Sequence, residues 1–289
     1  MFASNFDYYR ATSIANAGEL LRTHPGAKIL AGGHSLIPMM NLRLASPPAL
    51  IDIGRIAELQ GITVSGSAVR IGALTTHAAL AASPVIRERC PALAEAAQLV
   101  GDPAVRNRGT IGGNVAHADP ASDLPTVLTA LGARVVIAPA SGAPKTTDAA
   151  AFFTGLMTTT LAEHELLVAV EVPVRQPGQG QAYVKFSHPA SRYAVIGVAA
   201  VVTVGGGTCT AAAIALGGLT PHARRAPSVE RALVGHALTP DTIAGAAAKV
   251  VADLGGDVVG DVFASAAYRT AVAPVWVKRA LTAAAGRTA

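Results

Sequence analysis

"GDPAVRNRGTIGGNVAHADPASDLP", Gly101 to Pro125, sets Arg106 and Arg108 ahead of Thr110, a Gly112-Gly113 pair and Asn114, and closes on Asp119 and Asp123. A turn that bares its backbone between cations and carboxylates suits a ligand with both phosphate oxygens and hydroxyls. Thr110 offers a hydroxyl, the glycines offer unobstructed amides, and Asn114 can donate and accept. Upstream, "ILAGGHSL" (Ile29 to Leu36) repeats the logic: a short apolar strand runs into Gly32-Gly33 and then His34-Ser35. Successive amides beside glycine form an anion-binding concavity. Either segment alone reads equally well as a tight turn. Together they can hold the two phosphates of one dinucleotide from opposite sides. Asp123 then accepts hydrogen bonds from ribose hydroxyls, caps the helix over "LPTVLTALG", or does both.

The letters exclude the nearest alternatives. No Gly-Lys-Ser/Thr follows the glycines, so neither segment is a Walker A loop, and GxGxxG is absent. Gly33-His34-Ser35-Leu36-Ile37 lacks the second glycine of a nucleophile elbow, which argues against a Ser/His hydrolase. His34, His77 and His117 lie in or beside the glycine segments without a spacing such as HExxH, and loop hydrogen bonding is their ordinary role. Arg106 and Arg108 can face a diphosphate, an acidic partner or solvent. Two cysteines, Cys90 and Cys209, with no CxxC leave no basis for an iron–sulfur cluster or metal site in this chain.

Working outward, Ser13 caps a first helix that ends at Pro25-Gly26. "ALIDIG" is a strand, "ITVSGSAVRIG" a hairpin turning at Ser65-Gly66-Ser67, and Thr76 a helix cap. "ARVVIAP" and "LLVAVEVPV" are strands. "RQPGQGQ", Arg175 to Gln181, has no apolar period and marks a boundary between domains at 1–177 and 178–289. Beyond it "AYVKFSH", "VIGVAAVVTV" and "TCTAAAIALGG" predict a three-stranded antiparallel sheet. The remainder is helical, with the last helix interrupted at Pro274. The fold class is α+β.

Hydrophobic residues make up 51% of the 289 and charged residues 14%, so the chain buries a large core. The net charge of +5 comes from scattered Lys and Arg without aromatic runs, which disfavours nucleic acid and suits an anionic cofactor or acidic partner. No apolar run reaches the ~20 residues of a membrane span, and the start lacks a signal pattern. The expectation is a soluble cytoplasmic protein, with peripheral contact to the inner membrane face left open.

"ILAGGHSLIPMMNLRLASPPALIDIG", "IGALTTH" and "GDPAVRNRGTIGGNVAHADPASDLP", with "AYVKFSHPASRYAVIGVAA" and "GGLTPHARRAPSVERALVG" further on, resemble the FAD-binding medium subunits of the molybdenum hydroxylases. Within that family the chain looks closest to the medium subunits of aerobic carbon monoxide dehydrogenases. The resemblance implies a two-subdomain FAD-binding domain of the vanillyl-alcohol-oxidase (PCMH) type, followed by the family's C-terminal domain. It implies a dimer of heterotrimers, in which a large subunit carries the molybdenum cofactor and a small one carries [2Fe–2S] clusters. The flavin would take electrons from those clusters and pass them to an acceptor such as quinone. It places Ile29, Leu30, Ala31, Gly32, Gly33, His34, Ser35 and Leu36 at one side of the diphosphate and Thr110, Ile111, Gly112, Gly113 and Asn114 at the other. Asp123 falls near the sugar–adenine portion, Val100 and Leu167 at apolar contacts, Lys185 near the flavin and Tyr193 over its ring. No catalytic or metal-ligating residue is implied in this chain. The alternatives are a flavin subunit for aldehyde, purine or nicotinate substrates and a free-standing FAD oxidoreductase.

Overall fold

The computed structural model describes residues 2–140 and 142–288. A small N-terminal unit is built on three parallel strands, β1 (Asp7–Arg10), β2 (Lys28–Leu30) and β3 (Ala49–Asp52), in the order β1-β3-β2. Helix α1 (Ile14–Thr23) covers them. Its cap is Ser13, whose hydroxyl accepts from the Asn16 amide, and its buried residues are Ala17, Gly18 and Leu21. Helix α2 (Leu36–Asn41) follows β2 directly after the first glycine pair.

The second unit is a five-stranded antiparallel sheet of β4 (Ile62–Ser65), β5 (Ala68–Gly72), β6 (Arg134–Ala138), β7 (Lys145–Asp148) and β10 (Leu166–Pro173), ordered β4-β5-β10-β6-β7. A small hairpin, β8 (Phe153–Gly155) and β9 (Thr158–Thr159), precedes β10. Helices α3 (His77–Ala82), α4 (Pro84–Arg89), α5 (Pro91–Leu99), α6 (Pro103–Arg108), α7 (Ile111–His117) and α8 (Asp123–Ala130) lie between β5 and β6, and α9 (Ala149–Phe152) follows β7. Alternate residues of β6 and β10 serve two cores. Val135, Ile137, Leu167 and Val170 pack under these helices, whereas Val136, Ala138, Leu166 and Val168 face the N-terminal unit.

The third sheet contains β11 (Gln179–Ser187), β12 (Ala194–Gly205) and β13 (Thr208–Gly217), plus a two-residue edge strand β14 (Arg224–Arg225) that the sequence did not announce. The run "VIGVAAVV" does not alternate because both faces of β12 are covered. Val198, Ala200 and Val202 face the helices α10 (Pro227–Leu233), α11 (Pro240–Ala248), α12 (Val250–Leu254) and α13 (Ala266–Ala285). Ala199 and Val201 join the core under α5 and α8 instead. One continuous helix, α13, runs through Pro274, contrary to the expected interruption. Proline costs a helix interior ~3 kcal/mol, and the buried face of Ala273, Val277, Ala280, Leu281 and Ala284 against the sheet offsets that cost. "LTPDTIAGAAAKVVADL" forms two helices that meet at Lys249.

Candidate cofactor site

Between the N-terminal unit, the second unit and the β11–β12 connection lies a cavity of about 690 Å³, within the usual size of a small-molecule site. Every sequence-predicted site residue except Leu30, Ile111 and Lys185 lines it. Leu30 belongs to β2, and Ile111 is fully buried in the core beneath α7.

The first glycine segment behaves as its letters suggest. Among the described residues, the amides of Gly32, Gly33, His34 and Ser35 meet no protein acceptor. Gly33 has φ +76°, a conformation that favours glycine. A left-handed residue within a row of free amides makes a concave donor surface for an anion. Gly32 is required for another reason: a side chain there would collide with the Arg108 carbonyl. The two glycine segments therefore touch, and each fixes the other.

The second segment differs from expectation. It is not a loop but the start of α7. Thr110 is the cap, its hydroxyl accepting from the Gly113 amide at 3.1 Å. The Ile111 amide donates to the Thr75 carbonyl, Gly112 to Ala73 and Asn114 to Thr110. No amide from Ile111 to Asn114 is left for a phosphate. Gly112 serves packing, since a Cβ there would sit 2.5 Å from the Ala73 Cβ. The Asn114 side chain donates to Ser122 Oγ at 3.2 Å, and its buried oxygen has no partner in the protein. An unsatisfied buried acceptor beside a ligand cavity fits a ligand or ordered water that supplies the missing donor.

Arg106 and Arg108 do not line the cavity. Arg106 donates to the carbonyls of Val100 and Gly101, both at 3.0 Å, so it braces the wall, and Arg108 is exposed. His77 is buried and pressed against Gly109. Burial, with the nearby charges of His34 and Arg106, lowers its pKa to about 4. His34 reaches the Ala104 carbonyl at 3.2 Å.

Asp123 is 4% exposed and opens α8 as its first residue, with Ser122 as cap. One carboxylate oxygen accepts from the Tyr183 hydroxyl at 2.6 Å, the other from Lys185 Nζ at 2.8 Å. Each oxygen retains a lone pair for a further donor. Burial pushes the carboxyl pKa up, and Lys185 and Tyr183 draw it back. Tyr183 is raised well above the ordinary tyrosine range by burial and by the Asp123 charge. Lys185 thus stands behind Asp123, its ammonium also held by the Leu99 carbonyl at 3.1 Å, and not at the cavity wall as expected. On strand β11 its charge compensates the carboxylate rather than meeting a ligand.

Tyr193 is 41% exposed at the cavity mouth and lines the cavity together with Ser35 of the first glycine segment. Val100 and Leu167 supply apolar wall. The sequence did not single out the far end of the cavity, formed by Met157, Leu161, Glu163 and Glu165. Glu165 is paired with Lys145 at 2.5 Å, and although burial opposes it, this partner and the Ala162 amide hold its pKa down. The stretch carries Gly155 at the hairpin turn and Glu163 and Glu165 beyond it, but no spacing among them points to a ligand, so no sequence signal marks that wall.

A glycine-cradled cavity beside a parallel three-stranded unit, an antiparallel sheet and a C-terminal sheet-and-helix domain suits a protein that binds an anionic, dinucleotide-sized ligand. Residues 4–175 match the family model described as the FAD binding domain in molybdopterin dehydrogenase, and residues 181–284 match the CO dehydrogenase flavoprotein C-terminal domain. The chain belongs to this family of FAD-binding molybdopterin dehydrogenase flavoproteins. It is 42% identical over 292 aligned residues, covering all of both chains, to the carbon monoxide dehydrogenase medium chain of Hydrogenophaga pseudoflava. It is 40% identical to the alpha subunit of the 6-hydroxypseudooxynicotine dehydrogenase complex of Paenarthrobacter nicotinovorans, covering 98% of this chain and 95% of that one. In structure it is similar to the solved Hydrogenophaga pseudoflava carbon monoxide dehydrogenase that lacks the Mo-pyranopterin moiety. The TM-score is 0.96 and the identity 44%, over all of both chains. Among the described residues, no helix is long and apolar enough to cross a membrane and no cluster suits a metal ion.

Proposed function

We propose that this chain is the flavin subunit of a molybdenum hydroxylase that oxidises carbon monoxide, working beside a large molybdenum-cofactor subunit and a small [2Fe–2S] subunit. The observation that carries the site is the row of free amides at Gly32, Gly33, His34 and Ser35 on the wall of a dinucleotide-sized cavity. These amides and the Ser35 hydroxyl would hold the diphosphate of FAD. Asp123 would accept from a ligand hydroxyl or ring N–H with its spare lone pairs, its charge balanced by Lys185. Val100 and Leu167 would exclude water, and Tyr193 would cover the ring. Bound FAD supplies a redox centre that accepts electrons singly and delivers them in pairs, and the protein supplies position and electrostatics. The chain needs no nucleophile of its own, and both cysteine thiols are buried.

Two relatives bear almost equally on the choice of substrate. Identity to the carbon monoxide dehydrogenase chain is 42%, against 40% to the 6-hydroxypseudooxynicotine chain. That near-parity favours, as a second reading, the same electron-relay role with a heteroaromatic substrate. The test is co-expression with the neighbouring large and small subunits, followed by dye reduction with carbon monoxide or N-heteroaromatics as donor. Reduction with carbon monoxide alone supports the first reading, and reduction with heteroaromatics alone replaces it by the second. Flavin reduction of the isolated, FAD-loaded chain by a small substrate contradicts both.

A further inference from the structure

The connection between β11 and β12 carries a device that the cofactor reading does not absorb. His188 begins it and Tyr193 ends it. Their backbones close the loop: the His188 amide donates to the Tyr193 carbonyl at 2.8 Å, and the Arg192 amide to the His188 carbonyl at 2.9 Å. Inside this ring, the His188 imidazole turns back on its own loop. Its Nδ1 accepts from the amides of Ala190 at 3.2 Å and Ser191 at 3.3 Å. Two amide donors on Nδ1 put the ring proton on Nε2. Ser191 Oγ in turn accepts from the Tyr193 amide at 3.4 Å. Arg192 is left at φ +60°, a left-handed conformation in a residue with a side chain, which persists only where surrounding contacts impose it.

The outer face of the imidazole is equally determined. It meets the Phe263 ring edge-on, with centroids 4.6 Å apart. The Phe263 amide donates to Asp261 Oδ1 at 2.8 Å, and Asp261 Oδ2 pairs with the buried Arg269 of α13 at 2.6 Å. A continuous set of contacts therefore runs from α13 through Arg269, Asp261, Phe263 and His188 to Ser191, Arg192 and Tyr193, which line the cavity.

We propose that His188 is a positioning residue for the flavin site: by accepting the Ala190 and Ser191 amides it presets the Ser191–Tyr193 segment over the cavity mouth. The inference rests on the reading of the cavity as the FAD site. It assigns to the C-terminal domain the task of placing the cap on a cofactor that the N-terminal units cradle.

The test compares His188→Phe with His188→Asn in the full-length chain. Phenylalanine keeps a ring against Phe263 but has no acceptor. Asparagine keeps an acceptor at the Nδ1 position, as in an Asx turn, but loses the ring. Two hydrogen bonds contribute on the order of tenfold or more in an equilibrium. His188→Phe is expected to release FAD about tenfold faster, measured by recovery of flavin fluorescence. His188→Asn is expected to stay within about twofold of the wild type. A second readout needs no cofactor: tryptic cleavage after Arg192 in the FAD-free chain should quicken in His188→Phe and not in His188→Asn. Equal behaviour of the two variants in both assays, or a wild-type cleavage rate in His188→Phe, overturns the proposal. If the wild type binds no FAD while cleavage still separates the variants, the cofactor reading fails and the loop assignment to His188 stands without its flavin role.

Discussion

Residues 29–36 and 108–114 carry closely similar letters, a glycine pair beside a hydroxyl and an amide- or imidazole-bearing residue, and the folded chain uses them in opposite ways. In the first segment the amides of residues 32–35 meet no protein acceptor, and all four residues line the cavity. In the second, those of residues 111–114 are spent on the Ala73 and Thr75 carbonyls and on the Thr110 cap. A glycine pair reports that something comes close to the backbone. It does not report whether that neighbour is a ligand or the protein itself. Gly32 and Gly112 are both required by internal contact, with the Arg108 carbonyl and with Ala73. The contrast makes the first segment the donor surface and the second its rigid support.

The contrast can be pressed hardest through the buried pair that backs the cavity wall. Lys185→Met leaves Asp123 charged and uncompensated at 4% exposure. Removing one partner of a buried ion pair costs about 3–5 kcal/mol. Urea unfolding should show that loss, and Asp123→Asn in the same chain should restore part of it. An unchanged midpoint would place the pair in a solvated setting that the structure does not show.

His77 wedges α3 against the second segment through Gly109 and is held neutral, with its pKa lowered from 6.5 to about 4. Between these values the unfolded chain binds a proton that the folded chain refuses, so stability falls as pH drops from about 6.5 to about 4. The loss amounts to roughly 3 kcal/mol once both states are protonated. His77→Asn should flatten this part of the stability–pH curve, measured by denaturant midpoints at pH 7.5 and 5. A curve of wild-type steepness would contradict the buried, neutral histidine.

Gly112→Ala forces a methyl group to within 2.5 Å of the Ala73 Cβ. Overpacking of this kind costs about 1–3 kcal/mol, and it should appear with or without FAD, leaving the affinity of the folded chain near the wild-type value. A selective loss of FAD binding would return Gly112 to the donor surface. The smallest effect is that of Thr110→Ala, which removes the α7 cap and should lower stability by ~1 kcal/mol.

Much of this molecule was legible in its letters. The caps at Ser13 and Thr76, the hairpin at Gly66 and the three long C-terminal strands follow from local chemistry and appear as read. So does the gathering of Ile29, Val100, Asp123, Leu167 and Tyr193 around one cavity. What was not legible depends on partners distant in the chain. Whether an amide near Gly112 is free is decided by Ala73 and Thr75, and whether Lys185 meets a ligand is decided by Asp123 and Leu99. Pro274 fails to break α13 because burial against the sheet outweighs a local preference. The wall at Met157–Leu166 carries no motif, and only the packing of the hairpin brings it to the cavity.

The division of labour between the glycine segments is tested most directly by amide hydrogen exchange of the full-length chain with and without FAD, resolved at residues 32–35 and 111–114. Fast exchange at residues 32–35 that slows on FAD binding, with residues 111–114 already slow and unchanged, is the expected result. Fast exchange at residues 111–114 in the free chain, slowed by FAD as much as that at residues 32–35, would contradict it.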